Sequence, residues 1–141
     1  MSKASRLLTT QVIETFMMAG NATLTLKSEK TGVHFTYRVR ASEDGKVSFV
    51  SLMNGPDNEK NYSYLGTIRD GIFAHGAKSK IGADAPSAKA FTWFHNHLKS
   101  STVPAQLQVW HEGRCGRCGR KLTHPESIER GIGPECAGLL G

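Results

Sequence analysis

Residues 21–40 read NATLTLKSEKTGVHFTYRVR, and two runs within this stretch alternate apolar and polar side chains. In the first run, over residues 22–27, alanine and leucine alternate with threonine and lysine. In the second run, from Val33 to Arg40, valine, phenylalanine and tyrosine alternate with histidine, threonine and arginine. A period of two places every second side chain on one face of a β-strand, so each run predicts a half-buried strand.

Similar strands are predicted downstream of this pair. A third strand covers Val47–Met53, after a turn signal at residues 43–45. A fourth covers Tyr62–Ile68, after a loop rich in Asn, Gly, Pro and Asp. The Asp70–Gly71 pair predicts a tight turn into a short strand at residues 72–74. Sequential strands with short connections indicate an antiparallel β-meander with one face on the core and the other in water.

A short helix is predicted before the meander. Val12, Phe16 and Ala19 recur at helical spacing, which indicates an amphipathic face directed at the core. We expect Thr10 to cap the start of this helix and Gly20 to end it.

A second helix is predicted after the break at residues 82–87, and it runs to about Ser100. The following residues form its expected inward stripe, which can cover the apolar face of the meander: Ala88, Phe91, Leu98 and either Phe94 or His95. After Pro104, residues 105–110 predict a short alternating strand with Leu107 and Val109 on one face.

The composition indicates a mildly basic globular chain. It has 141 residues, a formal net charge of +6 at pH 7 and 38% hydrophobic residues. The first residues lack the apolar core of a signal peptide, and no stretch has the length of a membrane span. We therefore expect a cytoplasmic protein without a membrane partner.

The three cysteines lie close together near the C-terminus and point to a metal site. Cys115 and Cys118 form a Cys-x2-Cys pair, in which one tight turn aims two sulfurs at the same point. Cys136 follows a Gly-Pro-Glu sequence that predicts a helix start, where the helix dipole favours a thiolate. A structural zinc site needs four ligands, and the candidates for the fourth are His111 and His124; a three-cysteine site open to water is the remaining alternative. We favour His111, because it leaves a strand directly before the cysteine pair.

A redox pair and simple burial are the alternatives to zinc. A redox Cys-x2-Cys pair belongs at a helix start in a βαβ unit, whereas this pair lies in a turn rich in Gly and Arg. Zinc would also stabilise a tail that has few large apolar side chains. The chain is therefore divided into an α+β domain at residues 1–110 and a zinc-binding module at residues 111–141.

The tail also carries a resemblance. CGRCGRKLT at residues 115–123, followed by PESIERGIGPEC at residues 125–136, resembles the C-terminal zinc module of a family of small, mostly uncharacterised proteins from bacteriophages, plasmids and bacteria. The likeness covers about the last 31 residues, where His111 also fits. It implies a zinc knuckle in a mobile-element setting, in a bacterial or phage-infected cell, and no established activity. The expected fold is α+β: an antiparallel β-meander packed by one or two helices, with a treble-clef-like zinc-knuckle module.

No constellation of catalytic residues is evident. The chain lacks a P-loop, a dinucleotide fingerprint, a His-Glu-x2-His motif and the zinc deaminase pattern. His95-Asn96-His97 falls inside a predicted helix, where neighbouring side chains diverge by about 100°. We therefore expect a protein that is not an enzyme.

Two groups of basic side chains are candidates for contact with DNA or RNA. The first group surrounds the cysteine pair and can present guanidinium forks to phosphates: Arg114, Arg117, Arg120 and Lys121. The second group is Arg38 and Arg40 on the outward face of a strand, with Tyr62 or Tyr64 expected on a neighbouring strand. Plain solvation is the alternative for both groups.

Two functional hypotheses follow. The first is a non-enzymatic, zinc-binding accessory protein of a mobile genetic element that contacts nucleic acid, with binding that weakens steeply as salt is raised. The second is an adaptor or inhibitor that binds a host or phage protein, in a complex that survives nuclease treatment and moderate salt.

Overall fold

A computed structural model describes residues 5–54, 62–111, 115–117 and 132. These residues form a seven-stranded antiparallel sheet and two α-helices, which confirms the predicted α+β class. The strands are β1 (Ser5–Leu7), β2 (Asn21–Ser28), β3 (His34–Ala41), β4 (Val47–Met53), β5 (Tyr62–Arg69), β6 (Ile72–His75) and β7 (Leu107–His111), and the helices are α1 (Thr10–Met17) and α2 (Pro86–Lys99). Neither helix in this described part of the chain is long and apolar enough to cross a membrane.

The strand order is β1-β7-β2-β3-β4-β5-β6. The predicted meander is confirmed in β2 to β6, where each strand pairs with the next along the chain. β7 returns to pair antiparallel with β2, and β1 pairs with the other side of β7. β7, the last strand of the described residues, is therefore an interior strand next to the edge strand β1. The predicted division of the chain between residues 110 and 111 stays a prediction.

The β5–β6 hairpin turns at the two residues predicted for it. Asp70 has a φ of 52° and Gly71 a φ of 75°, between the paired residues Arg69 and Ile72. Two successive residues with positive φ are typical of a type I′ turn, whose twist matches that of the flanking strands. Aspartate and glycine are among the residues that tolerate this backbone conformation at least cost.

α2 covers one face of the meander, as predicted. The Phe91 ring lies 4.9 Å from the Tyr37 ring and 4.8 Å from the Phe73 ring, measured between centroids. The Tyr37 hydroxyl donates a hydrogen bond of 2.6 Å to the backbone carbonyl of Ser87, which joins the first turn of α2 to β3. The whole predicted stripe is buried, and it contains both of the residues between which the sequence left a choice: Ala88, Phe91, Phe94, His95 and Leu98.

The cap of α1 differs from the prediction. Thr9 has an extended backbone, and its Oγ1 accepts a hydrogen bond of 3.2 Å from the backbone N–H of Val12. Thr10, the predicted cap, is the first helical residue. The prediction was wrong because two adjacent threonines carry the same capping group, and only the path of the backbone decides which one is extended.

α1 also ends earlier than predicted. It stops at Met17, and Gly20, with a φ of 121°, leads directly into β2. Val12 and Ala19 of the predicted stripe are only partly buried. The residues that face the core follow i, i+3, i+4 spacing: Ile13, Phe16 and Met17. The buried stripe differs from the predicted one because a helix of only two turns contacts the sheet through few side chains.

Candidate functional site

His111 ends β7 on the inward face of the sheet. It lies on the same face as Leu107 and Val109, which confirms the predicted alternation of this strand. Its Cα pairs with that of Leu24 on β2, and its imidazole ring lies 5.6 Å from the ring of Phe16. The residue is 0% exposed. The favoured histidine ligand is therefore fully enclosed by the sheet and α1.

Cys115 is also buried, with 1% of its surface exposed. It begins a turn in which the backbone N–H of Arg117 donates to its Sγ at 3.4 Å. An amide that points at a cysteine sulfur stabilises negative charge on that sulfur, because N–H groups carry partial positive charge. The turn thus directs a backbone donor at the sulfur of a buried cysteine.

The residue after Cys115 fixes this turn to the sheet. The Gly116 carbonyl accepts a hydrogen bond of 2.7 Å from the backbone N–H of Asn21, at the start of β2. A Cβ at Gly116 would lie 2.7 Å from Cδ1 of Phe16, so only glycine allows this approach. Phe16 therefore contacts both the His111 ring and the turn. Ile132, 2% exposed, joins the same core.

The other predicted site residues lie outside the described residues. They are the candidate ligands Cys118, Cys136 and His124, and the basic residues Arg114, Arg120 and Lys121. Arg117 is described and is exposed. Within the described ranges, no group of three or more His, Cys, Asp or Glu side chains is arranged to hold a metal ion. The structure thus places two of the four predicted ligands, His111 and Cys115.

The two histidines of the His-Asn-His sequence have separate structural roles. Nε2 of His95 lies 3.0 Å from the Gly71 carbonyl, and its ring stacks on Phe91. Nδ1 of His97 lies 3.1 Å from the Thr102 hydroxyl, just beyond the end of α2. The first histidine joins α2 to the β5–β6 turn, and the second joins α2 to the loop that follows it.

The sheet's outward face, meaning the strand side chains that point away from α1 and α2, is basic. Among the described residues, no strand contains Asp or Glu, and the charged strand side chains all lie on this face: Arg6, Lys27, Arg38, Arg40 and Arg69. The acidic residues in the described part of the chain lie in α1 or in turns and loops. Arg6 is partly neutralised by Glu29 at 3.5 Å. Positive charge is therefore concentrated on β3 and its neighbours.

Arg38 stacks on an aromatic ring of this face. Its Cζ lies 3.8 Å from the ring centroid of Tyr62, which is a cation–π contact. The sequence predicted Tyr62 or Tyr64 on a neighbouring strand, but β4 lies between β3 and β5. The residue of β4 opposite Arg38 is the small Ser51, which leaves room for the contact to cross the strand.

Arg40 lies beside Arg38 on the same face. Its Nε donates a hydrogen bond of 3.3 Å to Oδ1 of Asn21, which holds the guanidinium over the β2–β3 pair. Partial burial lowers the pKa of Arg40, the charge of Arg38 lowers it further, and Tyr62 opposes both. The ordinary arginine pKa is so high that the group stays protonated at neutral pH. Two adjacent guanidinium groups therefore form a local positive centre.

Phe49 is an outward residue that the sequence analysis missed. It is 45% exposed and lies opposite Arg40 on β3. The sequence of β4, VSFVSLM, has apolar residues in both phases and so gives no clear signal for the face of Phe49; in the structure Ser48 and Val50 are buried, and Phe49 between them points outward. A bulky apolar side chain on the solvent face of a strand lowers solubility. Its presence suggests that Phe49 contacts another molecule.

Comparison with known proteins bears on the tail. Residues 105–141 match the model of a family of unknown function, DUF6011. No curated protein matches the chain, and no solved structure does. The matched segment contains β7 and all the residues of the predicted zinc module. The tail is thus similar to that family. The strands of the meander lie outside the matched residues.

Proposed function

We propose that this protein binds one Zn²⁺ through His111, Cys115, Cys118 and Cys136, and that it contacts nucleic acid without catalysing a reaction. The resemblance of its tail suggests an accessory protein of a mobile genetic element, in the cytoplasm of a bacterial or phage-infected cell.

The described half of the metal site fits zinc. A fully buried imidazole and a buried thiol whose sulfur accepts an amide hydrogen bond are donors that Zn²⁺ prefers. The His111 ring and Gly116, the residue after Cys115, both lie against Phe16, so the first ligand and the turn with the second are held on one support. With four protein ligands the ion would act as a cross-link between the tail and the sheet and would have no open position for catalysis.

The proposed contact with nucleic acid is supported mainly by the charge of the outward face. All five charged side chains on the seven strands are basic and point away from the helices. Neutralising phosphates with arginine and lysine releases counterions, which supplies most of the affinity of non-specific nucleic-acid binding. Arg38 and Arg40, held by Tyr62 and Asn21, are the most preorganised of these groups.

Fluorescence anisotropy with labelled DNA and RNA oligonucleotides tests this proposal. We expect binding whose affinity falls steeply between about 50 and about 200 mM salt. Substituting both Arg38→Ala and Arg40→Ala should weaken binding and reduce the salt slope by roughly 2. The matched control is Lys89→Ala with Lys99→Ala, which removes the same charge from α2 and should change binding much less. Absence of binding to any oligonucleotide at low salt would overturn the proposal.

The basic residues near the cysteine pair need a separate test. Arg117→Ala with Arg120→Ala removes two positive charges from the tail and leaves all four proposed ligands in place. If the tail contributes phosphate contacts, this variant should also weaken binding, and its effect should add to that of the Arg38 and Arg40 variant. Unchanged affinity would restrict the interface to the sheet.

A protein partner is the second candidate, because the other side of the molecule has an apolar groove. Its volume is about 320 Å³, and its lining includes Val33, Phe35 and Trp93. Trp93 is 41% exposed. An adaptor or inhibitor of a host or phage protein would use such a surface, and Trp93→Ala would then release a partner that stays bound after nuclease treatment in moderate salt.

A further inference from the structure

Two exposed aromatic rings accompany the arginines on the outward face. Phe49 on β4 is 45% exposed and Tyr64 on β5 is 37% exposed. Ser51 follows Phe49 by two residues on the same face, and its Cα pairs with that of Tyr64. The register of β4 and β5 shifts between Val50 and Ser51, so Phe49 and Tyr64 lie diagonally across a β-bulge. We call these two outward rings, one on β4 and one on β5, the aromatic pair; Phe49 is opposite Arg40 of β3.

Small residues and backbone contacts surround this aromatic pair. Phe49 is opposite Thr67 on one side, and Tyr64 is opposite Ser51. The backbone of Gly76 supports the Tyr64 ring so closely that a Cβ there would overlap it. One side of the ring is thus packed, and its exposed surface remains accessible. The two rings are therefore surrounded by short polar side chains on the outward face.

Short polar side chains continue across the outward face to β7. The hydroxyls of Thr25 and Thr36 share a hydrogen bond of 2.8 Å, and Thr25 is opposite Trp110. The Trp110 Nε1 donates to Oε1 of Gln108 at 2.9 Å, which fixes the indole on the outward face. From β7 to β5 the distance is four strand spacings, or about 19 Å. Aromatic, hydroxyl and guanidinium groups therefore form one continuous band across five strands.

This band is suited to unpaired bases. In duplex DNA the bases are stacked on one another, and the major groove, about 12 Å wide, admits a helix or a two-stranded ribbon. A five-stranded face is too broad to enter it. Unpaired bases, in contrast, can lie on exposed aromatic rings while their phosphates follow positive charge. Arg38, stacked on Tyr62, and Arg40, bonded to Asn21, supply positive charge on this face.

We propose that the outward face binds single-stranded nucleic acid, with bases stacked on Phe49 and Tyr64 and with phosphates at Arg38 and Arg40. This inference rests on the proposed nucleic-acid function and narrows it to a substrate class. Charge complementarity selects this occupant, because all the charged strand side chains are basic and the strand is a polyanion.

The test compares three labelled probes of equal length, about 12 nucleotides, with the full-length protein. The probes are a single strand (as DNA and as RNA), the corresponding duplex, and a single strand with abasic sites. The abasic strand keeps the phosphates and removes the bases. We expect the intact single strand to bind at least about tenfold more tightly than the duplex and the abasic strand, because each base–aromatic stack contributes roughly five- to hundredfold in affinity. The DNA and RNA probes show which sugar is preferred.

Substitutions locate the stacking. Phe49→Ala with Tyr64→Ala should weaken binding of the intact strand by roughly 30-fold or more and leave binding of the abasic strand unchanged. Phe49→Tyr with Tyr64→Phe keeps both rings and should restore most of the affinity. Leu8→Ala, which removes an exposed apolar side chain between β1 and α1, is the control and should have no effect. Circular dichroism and thermal unfolding of each variant confirm that it is folded.

The outcomes separate the two proposals. Equal affinity for duplex and single strand, or loss with Arg38→Ala and Arg40→Ala but not with the aromatic variant, would overturn the stacking inference and leave nucleic-acid contact in place. Absence of binding to every probe would overturn both. Preference for the intact single strand, together with loss in the aromatic variant, supports both.

Discussion

The two faces of one sheet differ in chemistry although they are made by alternate residues of the same strands. On β3 and β4 the inward residues Val39 and Val50 are opposite each other and buried, whereas the next pair, Arg40 and Phe49, points outward. α1 and α2 both pack on the inward side, and no described element covers the outward side. Packing against the helices therefore restricts the inward residues, whereas it does not restrict the outward residues.

Metal removal should give the largest effect, and it acts on the inward face. A structural zinc ion contributes on the order of 10 kcal/mol of binding free energy to folding, and little apolar surface in the tail can replace it. We expect about one zinc ion per chain by mass spectrometry or elemental analysis. Chelation, or Cys115→Ser, should lower the unfolding temperature markedly and expose residues near Phe16 to hydrogen exchange.

The control for this experiment is Arg117→Ala, which changes an exposed neighbour and keeps the sulfur. It should retain zinc and the wild-type unfolding temperature. A purified protein that contains no metal, and whose unfolding chelators do not change, would contradict the zinc proposal and leave His111 and Cys115 as ordinary core residues.

Matched phenylalanine substitutions compare the two faces directly. Phe91→Ala removes a fully buried ring that packs on Tyr37 and Phe73, and should lower the free energy of unfolding by about 3–5 kcal/mol. Phe49→Ala removes a ring of the same size from the outward face and should cost less than about 1 kcal/mol. Urea unfolding measures both. A similar loss in the two variants would show that the outward face is packed against something in the folded protein.

Much of the sheet could be predicted from the sequence because its signal is local. The alternation from residue 21 to residue 40 and the Asp70–Gly71 turn determine strand faces and hairpins without reference to distant residues. The positions of β1 and β7 in the sheet were harder to predict from the sequence. A three-residue strand is too short to show a period, and the pairing of β7 with β2 joins residues about 80 positions apart.

The candidate site was predictable to a similar extent. The burial of His111 follows from its phase with Leu107 and Val109, and that phase is visible in the sequence. The contact between Arg38 and Tyr62 depends on which strands are neighbours and on the small residue between them, so the two residue types could be predicted but their arrangement could not. Tertiary placement decides such contacts, and local patterns do not encode it.

The Tyr37 hydroxyl provides a prediction that depends on pH. Burial raises the pKa of Tyr37 above its ordinary value, so the folded protein keeps this proton at a pH where the unfolded chain has lost it. Stability from this group is complete below about pH 10, the unfolded value, and falls above it by about 1.4 kcal/mol per pH unit. Tyr37→Phe leaves the Ser87 carbonyl without its donor and should cost about 1 kcal/mol at neutral pH.

The stability difference between wild type and Tyr37→Phe should therefore narrow above about pH 10 and vanish near pH 11, because only the wild type loses stability through this phenol. Urea unfolding at several alkaline pH values measures the difference directly. Tyr64→Phe, which changes an exposed tyrosine of the outward face, is the control and should show no such convergence. A constant difference across this range would show that the Tyr37 phenol does not hold its proton in the folded state.

The smallest expected effect distinguishes two adjacent threonines at the start of α1. Thr9→Ala removes the oxygen that accepts from the Val12 N–H and should lower the free energy of unfolding by about 1 kcal/mol. Thr10→Ala changes the first helical residue, where alanine has the higher helix propensity, and should be neutral or slightly stabilising.

Because α1 holds Phe16 against both His111 and Gly116, the loss of stability in Thr9→Ala should shrink when zinc is removed and the tail no longer depends on α1. Equal losses with and without metal would show that the helix and the tail fold independently.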